Sequence, residues 1–544
     1  VTRRRFGRGF GVALLCAVSV SSIASPVRAN PEPPATYDAR ITGMGGVAVA
    51  SVDSAAALFH NPAQLDQIER FAVTAVATSL LVNLRAPFAG HGTEQESGLI
   101  YAPLVFVGGV GRVHERLSLG VGAYVYTGFG GGFPAVGCIS YGDPTHCGSE
   151  DESHVVYDPP VSEEVTLFIA ELAVPIQVTL IRDVLSVGVT LRMPYGRQSV
   201  NATQEAFGMW NQAEQELDGF GIPGVLLGVS YRPVPELTLA ASYRSKVWVD
   251  MSGITRASGM DIPTSTRWNV PHAVRVGLAY STWNDRLTLA GEFRVQLHGS
   301  ANTRQVFDLD GPPIIPDTVA EFQWKNVYLG GIAAELWARP RFPIRVGMTV
   351  ANSASSPETL TPFSPPPGVM LGVYGGAGVR LGGLEVDFAF GWGGGPAYRK
   401  ETNGALCVPA DERTVREGRQ LTLTASGGCA GTYDVDSWFL SLSVTYRLPG
   451  DAQVDRPTEW VETDTSATAP ESQAPETSTE SATDAESEAE SATESETESE
   501  TESETESETE SETEPGPESE TEAESESESE TATQTPEPSS APAP

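Results

Sequence analysis

The chain has 544 residues, 40% of them hydrophobic, and a net charge of −37. That charge is not spread evenly: residues 451–544 hold 31 acidic residues and one arginine, −30 of the −37, and almost nothing apolar after Trp460. Acidity argues against nucleic-acid binding, and because it belongs to the tail it says little about the rest.

Residues 1–29 read as a secretory signal. Arg3, Arg4, Arg5 and Arg8 form a basic start, an apolar stretch runs from about Phe10 to Ala24, and Val27-Arg28-Ala29 suits a small-x-small cleavage site. An apolar run this short is a poor fit to a hydrocarbon core of about 30 Å as a membrane anchor. Cys16 follows Leu15 with no small residue before it, which also argues against a lipid-anchored start.

Residues 30–68 show no alternation. They carry Gly43-Met44-Gly45-Gly46, then Asp53-Ser54 ahead of three alanines, then Asn61-Pro62-Ala63. Asp53 is a plausible N-cap for a short helix that Asn61-Pro62 would end. The partial G-x-G-x-x-A at Gly43, Gly45 and Ala48 lacks the preceding strand that a dinucleotide-binding turn needs. Small residues suit close packing in a narrow space, either as a plug or as a linker.

From about Phe71 to Leu448 the pattern has period two. Leu287, Leu289, Gly291, Phe293, Val295 and Leu297 alternate with Thr288, Ala290, Glu292, Arg294, Gln296 and His298. Each such strand has one apolar and one polar face. Strands are expected near 69–83, 97–111, 115–128, 162–181, 184–196, 219–232, 236–252, 270–282, 286–299, 322–337, 341–351, 368–382, 384–398 and 433–448. Every second connection is tight: Arg112 to His114, Arg182-Asp183, Pro233 to Pro235, Trp283 to Asp285, Ala338 to Pro340, and Gly383. Long strands, aromatics toward strand ends, and short turns on one side with long loops on the other predict an all-β fold: a transmembrane antiparallel β-barrel of about fourteen strands. A barrel this wide leaves a lumen unless something fills it, and residues 30–68 are the expected filler. Residues 449–544, rich in Glu, Ser and Thr, are expected to be a disordered periplasmic tail, a solvated spacer.

With Cys16 gone with the signal, four cysteines fall as two near pairs, Cys138 with Cys147 and Cys407 with Cys429, in Gly/Pro/polar segments. They read as two loop disulfides, since no zinc spacing accompanies them. No G-x-S-x-G, H-E-x-x-H or Walker motif occurs, so neither an enzyme nor a cofactor or metal is expected. Strand phase places Arg192, Arg244, Lys246, Arg275, Arg294, Arg345 and Arg447 toward the lumen. There they either brace it by pairing with Glu292, Glu335, Glu385 and Asp387 or, for Arg244 and Lys246 above all, meet the anionic head of an apolar solute.

The ordered set Gly43-x-Gly45-Gly46, Asp53-x-Ala55-Ala56, Asn61-Pro62-Ala63-x-Leu65, Tyr243-Arg244-Ser245-Lys246 and Trp324-Lys325-Asn326 resembles the FadL/TodX family of outer-membrane transporters, over about Asp38 to Leu448. The resemblance implies a plug (hatch) that includes Asn61, Pro62 and Ala63. It also implies uptake of long-chain fatty acids or aromatic compounds and a sideways exit into the membrane near the third strand. There Gly120, Gly122, Gly128 and Gly130 make Leu119–Gly130 permissive. Outer-membrane lipid and the barrel-assembly machinery would be the monomer's other partners. A structural or assembly barrel, or a general porin, is the alternative. The acidic tail and the loop disulfides depart from the family pattern.

Overall fold

The structure is a computed structural model that describes residues 37–88, 94–140, 154–206, 209–257, 259–311, 316–407, 414–417 and 420–448. The expected signal and the acidic tail lie outside the described residues. The expected disulfide between Cys138 and Cys147 also lies outside the described residues. Among the described residues no helix is long and apolar enough to cross a membrane.

Fourteen antiparallel strands close into a barrel. They are β1 Phe71–Ala86, β2 Ile100–His114, β3 Leu117–Ser140, β4 His154–Ile181 and β5 Leu185–Ala206. Five strands are broken once: β6 (Met209–Phe220, Gly224–Val234), β7 (Leu237–Arg244, Val247–Ala257), β8 (Met260–Val270, Ala273–Thr282), β9 (Leu287–Gln296, Arg304–Leu309) and β10 (Asp317–Glu321, Val327–Arg339). The circuit ends with β11 Phe342–Asn352, β12 Val369–Leu381, β13 Leu384–Gly394 and β14 Gly431–Leu448. Closure is continuous, from Phe71 opposite Leu448 to Arg85 opposite Asp434.

The alternation read in the sequence is the wall of this barrel. On β9, Glu292, Arg294 and Gln296 are buried inward while Leu289 and Phe293 are exposed. Exposed aliphatics ring the cylinder: Val276 and Leu278 on β8, Ile332 on β10, Val346 and Met348 on β11, Leu442 and Val444 on β14. Ile332 and Val346 are more than 60% exposed. Burying one such side chain is worth about 1.5–3 kcal/mol, so a whole band left uncovered requires lipid around it.

The tight turns lie at one end, three of them shifted from their expected places. β2 runs on through His114, β6 through Val234 and β10 through Arg339, because a bulge interrupts the register between Arg112 and His114, between Tyr231 and Val234 and between Trp337 and Arg339. A bulge absorbs one residue and lets the strand continue. At the other end β3, β4, β5, β6, β7 and β8 outrun the expected strands as tall hairpins. Their outward positions carry charge, with Arg197 facing Glu216 at 3.9 Å and Arg267 facing Asp250 at 2.6 Å. The hydrophobic alternation fades there, which is why the sequence showed only the lipid-embedded part.

Candidate functional site

The leading segment, Tyr37 to Ile68, is packed inside the barrel. It holds α1 (Ala39–Gly43), α2 (Ala57–His60) and a 3-10 turn, Pro62–Gln67. Asp38 caps α1 by accepting from the Arg40 amide at 3.0 Å. Asn61, not Asp53, does the capping further on: its side chain accepts from the Ala63 amide at 3.1 Å and donates to the carbonyls of Val49 (2.8 Å) and Val229 (3.2 Å). The expected cap by Asp53 fails because α2 is a single turn that starts at Ala57, and Asp53 instead receives Arg40 and Arg447.

The plug seats in the wall through glycines. A β-carbon at Gly188 would lie 2.5 Å from the Pro62 backbone, one at Gly228 2.0 Å from the Asn61 side chain, and one at Gly347 2.3 Å from the Met44 backbone. Gly43 abuts Gly376 across the interface, and a β-carbon on it would sit 3.0 Å from that backbone. Gly45 (φ 67°) and Gly46 (φ 82°) take left-handed conformations that a side chain would strain. At the Gly-x-Gly-Gly and Asn-Pro-Ala stretches this segment's backbone thus lies close against strand backbone.

Buried charge pairs fix what the glycines admit. The Arg40 guanidinium meets both oxygens of Glu335 at 2.8 Å, and Arg345 bridges Glu335 and Asp387 at 2.6 Å each. Arg447 joins Asp53 (3.2 Å) to Glu385 (3.1 Å). Glu292 accepts from the Ala48 and Val49 amides at 2.7 and 2.8 Å and from Arg294 at 3.0 Å. Asp66 receives Arg232 at 2.7 Å. His60 accepts from Arg275 at Nδ1 (3.1 Å), and its Nε2 lies 3.0 Å from the Tyr37 carbonyl, which fixes the neutral tautomer with the proton on Nε2. Burial, with Arg275 beside it, holds its pKa well below the ordinary histidine value.

Between β2 and β3 the cylinder has a seam. Their register runs from His114–Leu117 to Phe106–Tyr124 and stops. Beyond it Ile100–Val105 pair with β1, and Val125 onward pair with β4. A bulge at Tyr126 turns β3 aside, and Pro103, which has no donor to offer, sits on the resulting edge. The Tyr37 hydroxyl donates to the first carbonyl past the last pair, that of Val125.

Behind the seam lies a buried cluster. Glu171 accepts from Tyr124 (2.7 Å), Arg192 (2.8 Å) and Arg244 (2.8 Å). Arg244 also reaches the Phe59 carbonyl at 3.2 Å, and its guanidinium carbon lies 4.3 Å from the centre of the Tyr126 ring. Arg244 is therefore braced by Glu171, a partner the sequence reading did not name. The signal was there, since Glu171, Ala173, Gln177 and Thr179 form the inward phase of β4. Lys246, in the break of β7, is half-buried; its backbone amide donates to His272 at 3.0 Å, and the structure does not bring its side chain to the Arg244–Glu171 pair. Above the cluster the inward faces turn apolar, with Leu84, Leu104, Tyr126, Leu167, Met251 and Trp268 in one continuous set.

The outer end is roofed by loops. Of the two disulfides expected there, the described residues contain Cys407–Cys429. The other, Cys138–Cys147, stays an expectation from the sequence, because Cys147 falls in a segment outside them. Lys400 Nζ donates to the carbonyls of Pro357 (2.7 Å) and Glu358 (3.0 Å), and the Gly428 amide to that of Leu360 (2.5 Å).

No protein-family model matches the sequence, and no curated protein is matched by it. Solved structures do match. A Pseudomonas aeruginosa FadL homologue superposes with a TM-score of 0.60 at 16% identity, over 78% of this chain and 100% of that one. The Ralstonia pickettii toluene transporter TbuX gives 0.55 at 15%, over 77% and 100%. The Pseudomonas putida toluene transporter TodX gives 0.54 at 12%, over 78% and 100%. With its fourteen-strand antiparallel cylinder, the chain has the fold of the FadL/TodX transporters.

Proposed function

We propose that the protein admits hydrophobic small molecules through the outer membrane of a Gram-negative cell and releases them sideways through the β2–β3 seam. The observation that carries this is the seam itself, where the register of β2 and β3 stops, backed by a continuous apolar inner surface. Unpaired backbone at membrane depth costs several kcal/mol per group, and is tolerated where it borders protein or a passage. Solved structures of like fold include toluene transporters and a FadL homologue, which fits cargo of this kind. The seated plug weighs against a general porin.

Long-chain fatty acids are the first cargo to test, and Arg244 the first head-group contact. A carboxylate entering from above would compete with Glu171 for Arg244, and Lys246 at the break of β7 would be the second cation. The short-turn end would face the periplasm, and the tail that follows Leu448 would emerge there. Folding would go through the barrel-assembly machinery, to a monomer.

Uptake of labelled oleate and labelled toluene by cells or proteoliposomes tests the reading, with wild type set against a deletion of 37–68 and an empty vector. Wild type should exceed the empty vector for at least one probe. Uptake no higher than the empty vector removes the transport reading, and ion conductance without solute preference would favour a porin.

A further inference from the structure

We propose that Tyr37, and not withdrawal of the plug, gates the seam; this rests on the sideways-release reading above. Tyr37 is only 1% exposed. Its ring packs at 5.0 Å from Phe59, 5.4 Å from Phe106 and 5.8 Å from Tyr124, so it stands against the last paired residues of both β2 and β3. Its hydroxyl occupies the Val125 carbonyl, the acceptor at which β3 parts from β2. The side chain closes the seam from inside, at the level where pairing ends.

Two motions could open a passage. Extracting the plug would break the paired Arg40–Glu335 contacts, the Arg447–Asp53 and Arg232–Asp66 pairs and the two amides held by Glu292, all of them charge-assisted. Swinging the Tyr37 side chain breaks one neutral hydrogen bond and ring packing, and leaves its backbone carbonyl on His60. Charge-assisted bonds are roughly twice as strong as neutral ones, and the plug has many of them. The gate is therefore the side chain at the seam, and the rest of the plug is its fixed frame.

A staple separates the two. Val47 Cγ2 lies 2.9 Å from where a β-carbon on Gly331 would be. One further C–C bond of about 1.5 Å puts the two β-carbons within the disulfide range of about 3.5–4.5 Å. The full chain carrying Val47→Cys and Gly331→Cys, in proteoliposomes with a fluorescent long-chain fatty acid, should transport within about twofold of wild type, oxidised or reduced. Wild type with and without reductant controls for Cys407–Cys429. Tyr37→Phe should raise the initial rate about three- to tenfold, the worth of one neutral hydrogen bond. In the wild type, hydrogen exchange on adding the fatty acid should rise at 104–106 and 124–126 while 40–50 stay protected, a readout that needs no variant. Uptake lost on oxidising the staple and restored by reductant would overturn the proposal, as would a Tyr37→Phe rate equal to wild type or exchange that rises across 40–50 instead. A wild type that carries no probe would overturn the transport reading itself; the other outcomes strike this proposal alone.

Discussion

Glu335→Ala probes what holds the plug. Its carboxylate receives Arg40 through two 2.8 Å contacts and Arg345 through one of 2.6 Å, with all three side chains nearly sealed from solvent. Removing it strands two arginines at once, Arg345 keeping Asp387 and Arg40 keeping the half-buried Asp53. Breaking one buried pair costs about 3–5 kcal/mol. If the loss falls on the docking of α1, then at about 1.4 kcal/mol per factor of ten the amide protection of 39–47 should fall roughly a hundred- to three-thousandfold. Hydrogen exchange with mass spectrometry on the detergent-solubilised protein reads this directly. Glu335→Gln, which keeps the shape and one acceptor, should fall between the two. The strands should stay protected, since the wall is held by its own register. Protection of 39–47 unchanged in Glu335→Ala would refute the idea that ion pairs hold the plug.

Other outcomes follow from the same geometry. Gly347→Leu, whose β-carbon would sit 2.3 Å from the Met44 backbone, should leave a heat-modifiable barrel on gels but give steady ion conductance in planar bilayers. Arg244→Ala should weaken oleate binding about ten- to a hundredfold, measured by titration in detergent, and leave toluene uptake within twofold, since only the former carries a charge. Cys407→Ser should loosen the outer roof: closing a loop of about this length is worth about 3 kcal/mol, so proteolysis between 400 and 430 should quicken while the strands remain intact. Transfer out of detergent into buffer should precipitate the wild type, because the exposed band at Ile332, Val346 and Met348 has no other cover.

The wall was legible because lipid imposes one rule on every strand: Leu289 and Phe293 out, Glu292 and Arg294 in. The plug could be located but not built. Its sequence shows small residues and Asn61-Pro62, whereas the glycines that receive it, Gly188, Gly228, Gly277 and Gly347, lie on four other strands far along the chain. Read in phase, these inward glycines, where a barrel of this width needs no small residue, were the missing sign. The seam hid for a like reason. Gly128 and Gly130 pointed to β3, but the partner edge is marked only by Pro103, and the residue that closes it, Tyr37, comes from before the barrel begins. Glu171 was harder to see because it lies on β4, away from the acids of β9 to β13 that pair with Arg294, Arg345 and Arg447.

A diazirine-bearing fatty acid, photolysed during uptake in proteoliposomes and mapped by mass spectrometry, tests the sideways route most directly. The route described here requires adducts along 100–106 and 124–133, on the two edges of the seam and the wall behind it. Adducts confined to the plug's lower face and the short-turn end, with none on either edge, would mean that cargo passes straight through the barrel.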